Sequence, residues 1–223
     1  MRAILQKFTG RNIDPNIPTG YLLRLCGEKM MCLLWGCLRL RRFGRYMVHP
    51  TAVIKCPSRL VLGKSVNIDR RCYIDALSSL SLTLGDNVSV GRNTTIQVTG
   101  SIQHIGKGIT IGNNVGLGTD GYFGGAGGLE IGDDTIFGNY CSCHPENHNF
   151  SDPDTPIRLQ GVNQRGIKIG SNCWIGAKAT ILDGTVIGNS CIVAAGAVVR
   201  GQFPDNSIIG GIPAKVLKSR IND

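Results

Sequence analysis

The chain has 223 residues, 31 of them glycine and nine cysteine, and a formal net charge of +9. That length holds one substantial domain or two small ones, and dense aliphatic content without a G-x-y triplet excludes a collagen and argues against disorder. The charge points to an anionic partner. Aromatic residues are only 6% of the chain and nothing resembles a nucleic-acid module, so nucleic acid ranks last among such partners.

In chain order, Met1–Gly10 has neither the apolar core nor the cleavage site of a secretory signal. Residues 1–48 form an N-terminal helical and basic segment. Within it, Tyr21 to Phe43 reads as a helix, and its longest uncharged run, Met30 to Leu38, is far too short to span a membrane. Leu22, Leu25, Met30, Leu33, Leu34 and Cys37 roughly share a face, and Arg39, Arg41, Arg42 and Arg45 crowd the C-terminal end. Two readings fit. The helix caps the open end of the following domain, or residues 21–45 lie on an anionic membrane surface.

Residues 49–223 carry a different pattern. Ile169, Ile175, Ile181, Ile187, Val193 and Val199 recur every six positions, a period produced by neither an amphipathic helix nor an ordinary strand. Hexapeptide repeats are the signature of a parallel β-helix. Coils of three hexads begin at Leu62, Leu84, Ile111, Ile131, Ile169 and Ile187, and the excess spacing between these starts exposes insertions of four, nine, two and twenty residues, then none. The largest insertion, 144–166, leaves the wall as a loop. Glycines after the aliphatic residues, as at Gly85, Gly91, Gly112, Gly132 and Gly170, read as tight bends needing conformational freedom. Asn87, Asn93, Asn113, Asn139, Asn172 and Asn189 follow them and suit positive φ. Cys72, Cys141, Cys173 and Cys191 each fall four residues after a repeat aliphatic and read as small buried residues. Free thiols in such number fit a reducing cytoplasm. Beyond Val199 the pattern decays, and Pro213 suits the first turn of a short closing helix.

The run WIGAKATILDGTVIGNSCIVAAGAVV, preceded by a histidine-bearing loop and followed by GGIPAKVLK, resembles the hexapeptide-repeat acyltransferases over about residues 50–220. The fold expected is thus all-β, a left-handed parallel β-helix with an N-terminal helical segment and a short C-terminal helix. The resemblance also implies a homotrimer that binds acetyl-CoA between neighbouring prisms, with a saccharide as acceptor. The loop motif NHNFSDPDTPI matches the sugar and xenobiotic branches and places His148 as the general base. Unperturbed histidine is the side chain whose pKa best suits taking a proton from a hydroxyl near neutrality. His144 is the alternate, because His144-Pro145 copies a dipeptide of galactoside-type members. The resemblance sets Trp174 near the thioester, although packing against a partner subunit also suits an outward tryptophan. It runs the pantetheine arm along the amides of Ala177 and Ala195, with the Ala177 N–H as oxyanion donor. The usual Thr-Lys after the last repeat valine is replaced by Arg200-Gly201, which leaves Arg200, Lys215 and Lys218 as substitutes for gripping the CoA phosphates. Asp152 and Asp154 are candidates to orient His148 or hold a sugar hydroxyl.

No metal is expected. The thioester is already activated, and Cys141 and Cys143 stand too close in sequence for a comfortable chelate. The expected activity is O-acetylation of a surface polysaccharide or its lipid-linked precursor, in the cytoplasm or at the inner face of the membrane. N-acetylation of an amino-sugar nucleotide and acetylation of a xenobiotic are the alternatives. A γ-type carbonic anhydrase, with His104 as third ligand, and a non-catalytic scaffold rank lower.

Overall fold

A computed structural model describes residues 12–221, together with Gln6 ahead of them. The secretory-signal expectation for Met1–Gly10 falls outside these residues except at Gln6. One long helix, α1 (Thr19–Leu40), precedes twenty-five strands, β1 to β25. Every strand of the wall pairs in parallel with the strand one coil away, and the chain visits three sheets in rotation. Thus β18 (Trp174–Ile175) lies in the first sheet, β19 (Thr180–Leu182) in the second and β20 (Val186–Ile187) in the third. The result is a parallel β-helix with three walls.

The coil starts read from the sequence form one inward column of the third sheet. Leu62 pairs with Leu84, Leu84 with Ile111, Ile111 with Ile131, Ile131 with Ile169 and Ile169 with Ile187. Strand alternation turns every second side chain inward, so these aliphatics join the columns of the other walls in a single buried core, with Leu62 partly buried against its end. Cys72, Cys141, Cys173 and Cys191 are buried in it as expected. Burial pushes the Cys72 thiol up to about 11, so it stays protonated and behaves as an apolar residue.

The glycines serve a purpose other than the one expected. Gly85 and Gly170 do not have positive φ. A Cβ at Gly85 would lie 2.6 Å from the Gly112 carbonyl oxygen, and one at Gly170 would lie 2.6 Å from the Gly188 carbonyl carbon. Successive coils approach too closely there for any side chain. Left-handed corner conformations fall instead on Asn87, Asn93 and Asn172 and on Asn114, Tyr140 and Ser190. Asn113, Asn139 and Asn189 stitch coils together, their Oδ1 atoms accepting the N–H of Asp86, Thr119 and Ser171 at 2.8, 3.0 and 2.9 Å.

Both ends of the prism are closed. α1 packs on β1 (Met47–Val48), the first strand of the first sheet, burying Leu22, Cys32 and Gly36. Lys29 donates to Asn67 at 2.7 Å and Arg70 pairs with Glu28 at 3.3 Å. The helix therefore caps the coil stack, but with a different face from the one expected. Met30 and Leu34, grouped with Leu22 in the sequence reading, point outward. At the other end the short closing helix is not formed. Residues Ala214–Ser219 make β25, antiparallel to β24 (Ser207–Gly211), with a cis Ile212–Pro213 bond in the turn. The exposed side of β24 offers backbone partners that an extended Ala214–Ser219 satisfies, and Ala214 is buried by the pairing. Among the described residues no helix is long and apolar enough to cross a membrane.

Candidate active site

All four insertions leave the prism by the same corner, between the second sheet and the third. They connect Asp75 to Leu82, Gln97 to Ile109, Gly124 to Leu129 and His144 to Ile167. Stacked on one edge, they bond to one another. Ser79 N–H donates to the Gly106 carbonyl (2.9 Å), Lys107 N–H to that of Ala126 (3.0 Å), and Ile167 N–H, where the largest insertion returns, to that of Gly128 (3.0 Å).

The largest insertion is itself ordered. β15 (Asn147–His148) pairs antiparallel with β16 (Val162–Asn163), with His148 opposite Val162. Gln160 Nε2 holds the carbonyls of Asp152 and Thr155, both at 2.7 Å. At its return, the buried Asp183 carboxylate accepts the Arg165 N–H at 2.9 Å and the Gly166 N–H at 2.8 Å. Sequence reasoning missed Asp183. Its signal was a lone carboxylate in the hexad ILDGTV, inside an otherwise apolar run.

His144 and His148 sit at different depths. His144 ends β14 (Ser142–His144), and its ring stacks on Tyr122 with centroids 5.2 Å apart and planes at 20°. The ring edge is exposed, but desolvation on the covered side lowers its pKa, keeping the neutral imidazole to lower pH than usual. Tyr122, which sequence reasoning did not single out, is thus the neighbour that shapes His144. His148 projects from the hairpin and is exposed. Asp152 is engaged within the loop. Its carboxylate accepts from Thr155 and from the Asp154 N–H, and the Thr155 bond is the main reason its pKa is lowered.

Ala177 and Ala195 occupy the opposite corner, between the first sheet and the second. Among the described residues neither N–H donates a backbone hydrogen bond, although the flanking Gly176 and Gly196 amides do. β24 pairs with β21 (Ile192–Val193), which extends the same corner to the hairpin turn, where Lys215 lies opposite Gly210. Lys218 sits further along β25, opposite Ile208. Arg200 follows β22 (Val198–Val199) at the corner used by the insertions, away from Lys215. Trp174 faces outward from the first sheet, 54% exposed, in register with Ile136 and Ile192. One prism therefore brings Ala177, Ala195 and Lys215 together along one edge and the two loop histidines along another. From Ala177 to Leu182, the partner of His144, the wall spans about 16 Å at ~3.3 Å per residue. No three side chains of His, Cys, Asp or Glu among the described residues group closely enough to hold a metal.

Three walls of hexapeptides with one stacked, histidine-bearing edge define a hexapeptide-repeat protein. The bacterial transferase hexapeptide (six repeats) family matches residues 166–201. An acetyltransferase-named protein of Staphylococcus aureus (strain COL) is 35% identical over 203 residues, covering 88% of this chain and 92% of its own length. WbbJ of Escherichia coli K12, named as a lipopolysaccharide-biosynthesis O-acetyl transferase, is 30% identical over 140 residues, covering 59% of this chain and 71% of the relative. A protein of Mycobacterium tuberculosis, also named as an acetyltransferase, is 34% identical over 187 residues, and the chain spans 58% of its length. Among solved structures, AntD, an N-acyltransferase from Bacillus cereus in complex with dTDP and 3-hydroxybutyryl-CoA, shares the fold at 21% identity and a TM-score of 0.51. That alignment covers 77% of this chain and 78% of AntD. The chain belongs to the hexapeptide-repeat acyltransferases.

Proposed function

We propose that this chain is a homotrimeric, left-handed β-helix enzyme that moves an acetyl group from acetyl-CoA to a sugar hydroxyl of a surface polysaccharide or its precursor. The observation that carries the reading is the pair of edges. Unused amides at Ala177 and Ala195 line one corner, and a histidine hairpin stands at the other, so a complete site forms where the hairpin of one subunit meets the amide corner of the next. The apolar outward column of Ile136, Trp174 and Ile192 supplies surface that such a neighbour covers.

In this reading His148 takes the proton from the acceptor hydroxyl as its oxygen attacks the thioester carbonyl. The Ala177 N–H holds the oxyanion. When the C–S bond breaks, the imidazolium returns the proton to the departing thiolate, leaving an O-acetyl sugar and CoA. The small side chains of Ala177 and Ala195 allow an extended pantetheine chain to approach the amides, and Lys215 and Lys218 are the basic groups for its phosphates, whereas Arg200 stands at the insertion corner, away from that edge of the same prism.

O-acetylation is favoured over N-acetylation because WbbJ is named for that reaction, whereas the likeness to AntD extends to the fold alone. The two differ in the product. Incubation with labelled acetyl-CoA and a panel of glycan precursors is expected to give label that mild alkali releases within minutes, as an ester. Alkali-stable label on an amino sugar would replace this reading with the N-acetyl one.

The outward face of α1 supports a second element of the reading, contact with an anionic bilayer. Leu23, Met30, Leu34 and Leu38 are all more than half exposed and share a face around Gly27, opposite the buried Leu22 and Gly36. Glu28, on the side of the helix facing the coils, is engaged by Arg70, and Arg39, Arg41, Arg42 and Arg45 follow at the helix end. Binding to vesicles containing anionic lipid is expected to weaken steeply with salt, since the screening length falls to about 10 Å at 0.1 M. Leu34→Glu with Leu38→Glu is expected to abolish it. Unchanged vesicle binding, or a loss of trimer in that variant, would assign the face to protein contacts instead.

A further inference from the structure

The stacked insertions enclose a groove of about 460 Å³ against the third sheet, on the side of the edge away from the amide corner. Five glycines line it beside the outward side chains Thr110, Glu130, Lys168 and Val186 of the third sheet. Gly108, Gly128, Gly166 and Gly184 all line it in conformations with positive φ. Its charged lining is Lys107, Arg165 and Lys168 against a single carboxylate, Glu130, which Lys168 already engages at 3.2 Å. Two cations are left over. Lys107 Nζ reaches the Gln164 carbonyl at 3.2 Å, so its ammonium sits at the return of the histidine loop. Arg165 joins no ion pair among the described residues.

The backbone of Arg165 is held more firmly than most loop residues. Its N–H and that of Gly166 are bound by the buried Asp183 carboxylate. This anchors the main chain and leaves the guanidinium, with donors in a fork that matches phosphate oxygens, to line the groove. The same strand links groove and hairpin. Val162 pairs with His148, and Arg165 follows three residues later, about 10 Å along an extended chain.

We propose that this groove binds a phosphoryl group of the acceptor, so that the sugar acetylated is one that carries a phosphate or diphosphate about 10 Å from the reacting hydroxyl. The inference rests on the acetyl-transfer reading for its substrate and on the groove alone for its ligand. The glycines leave room for phosphate oxygens, and Arg165 and Lys107 supply the donors and the countercharge, since the glycine amides are already bonded within the fold.

Two measurements test it separately. Calorimetric titration of the wild-type protein with inorganic pyrophosphate and with a nucleoside diphosphate should show binding that falls with salt and is lost in Arg165→Gln. This readout needs no activity, so it stands even if the transfer reaction is something else. In the acetyl-transfer assay, Arg165→Gln should lower the ratio of kcat/KM for a phosphorylated sugar over the unphosphorylated sugar by about tenfold or more, the usual worth of a charged hydrogen bond. Most of that change should lie in the acceptor KM. Nucleotide-linked and polyprenyl-diphosphate-linked sugars are compared in the same assay, and a preference for either identifies the source of the phosphate. Absence of pyrophosphate and nucleotide binding, or a rise in the KM of acetyl-CoA instead of that of the acceptor, overturns the proposal.

Discussion

His148→Ala is expected to lower kcat by about two to four orders of magnitude, the range for loss of a positioned general base. Acetyl-CoA affinity should barely change, because the amide corner of Ala177 and Ala195 and the hairpin bearing His148 are separate parts of the fold. His144→Ala should keep most activity, with some loosening where the ring now stacks on Tyr122. Steady-state kinetics of both variants in one assay decides the assignment. If His144→Ala is the inactive one, the roles are reversed. The pH profile then supplies a cross-check with a definite sign. A base at His144 must be neutral to act, so kcat/KM would fall as pH drops through its pKa. Desolvation places that fall below the ordinary imidazole value of 6.5.

Activity is expected to return when two inactive variants are mixed. Ala195→Glu places a bulky anion on the exposed amide corner, where it opposes CoA, and leaves the histidine hairpin intact. His148→Ala does the opposite. If each site combines the hairpin of one subunit with the corner of the next, a trimer assembled randomly from equal amounts of the two variants has both intact halves at about one site in four. Co-refolding the variants should therefore restore roughly a quarter of wild-type turnover, against background for either alone. Activity that stays at background in verified mixed trimers would mean that each subunit completes its own site.

The wall was legible because the cost of burying a polar group leaves only aliphatic and small residues on inward positions, and their period of six survives in the sequence. Leu62, Leu84, Ile111, Ile131, Ile169 and Ile187 do form one column, and the insertion lengths between them are those of the structure. What lay beyond reach was set by contacts between coils. Gly85 and Gly170 are small because the next coil runs over them, a neighbour that local turn chemistry does not reveal. The segment Ala214–Ser219 reads equally as the end of a repeat or the start of a helix, and the exposed side of β24 decides for a strand. On α1, residues of similar hydropathy occur all round the helix, so pattern alone did not separate Leu22 and Cys32, which touch the first coil, from Leu34 and Leu38, which do not. At the candidate site, the loop and its histidines were visible as an interruption of the repeat. The dependence of that loop on Asp183, 17 residues beyond its end at Gly166 and inside the next coil, was not.

Exit of every insertion through one corner also bears on how such a chain can change over generations. Coil stability in a stack of this kind comes largely from each coil's immediate neighbours. The third-sheet strands resume the same register after excursions of very different length, as Leu84, Ile111, Ile131 and Ile169 show. Lengthening, shortening or exchanging an excursion therefore leaves the ladder of backbone bonds and the buried columns as they were. Heritable variation in loop length is channelled to one edge, where it alters what the protein grips, while the close approach of successive coils at positions such as Gly85 and Gly170 holds the turn there to glycine. A lineage built on this plan can explore new acceptors one loop at a time without first having to survive the loss of its fold.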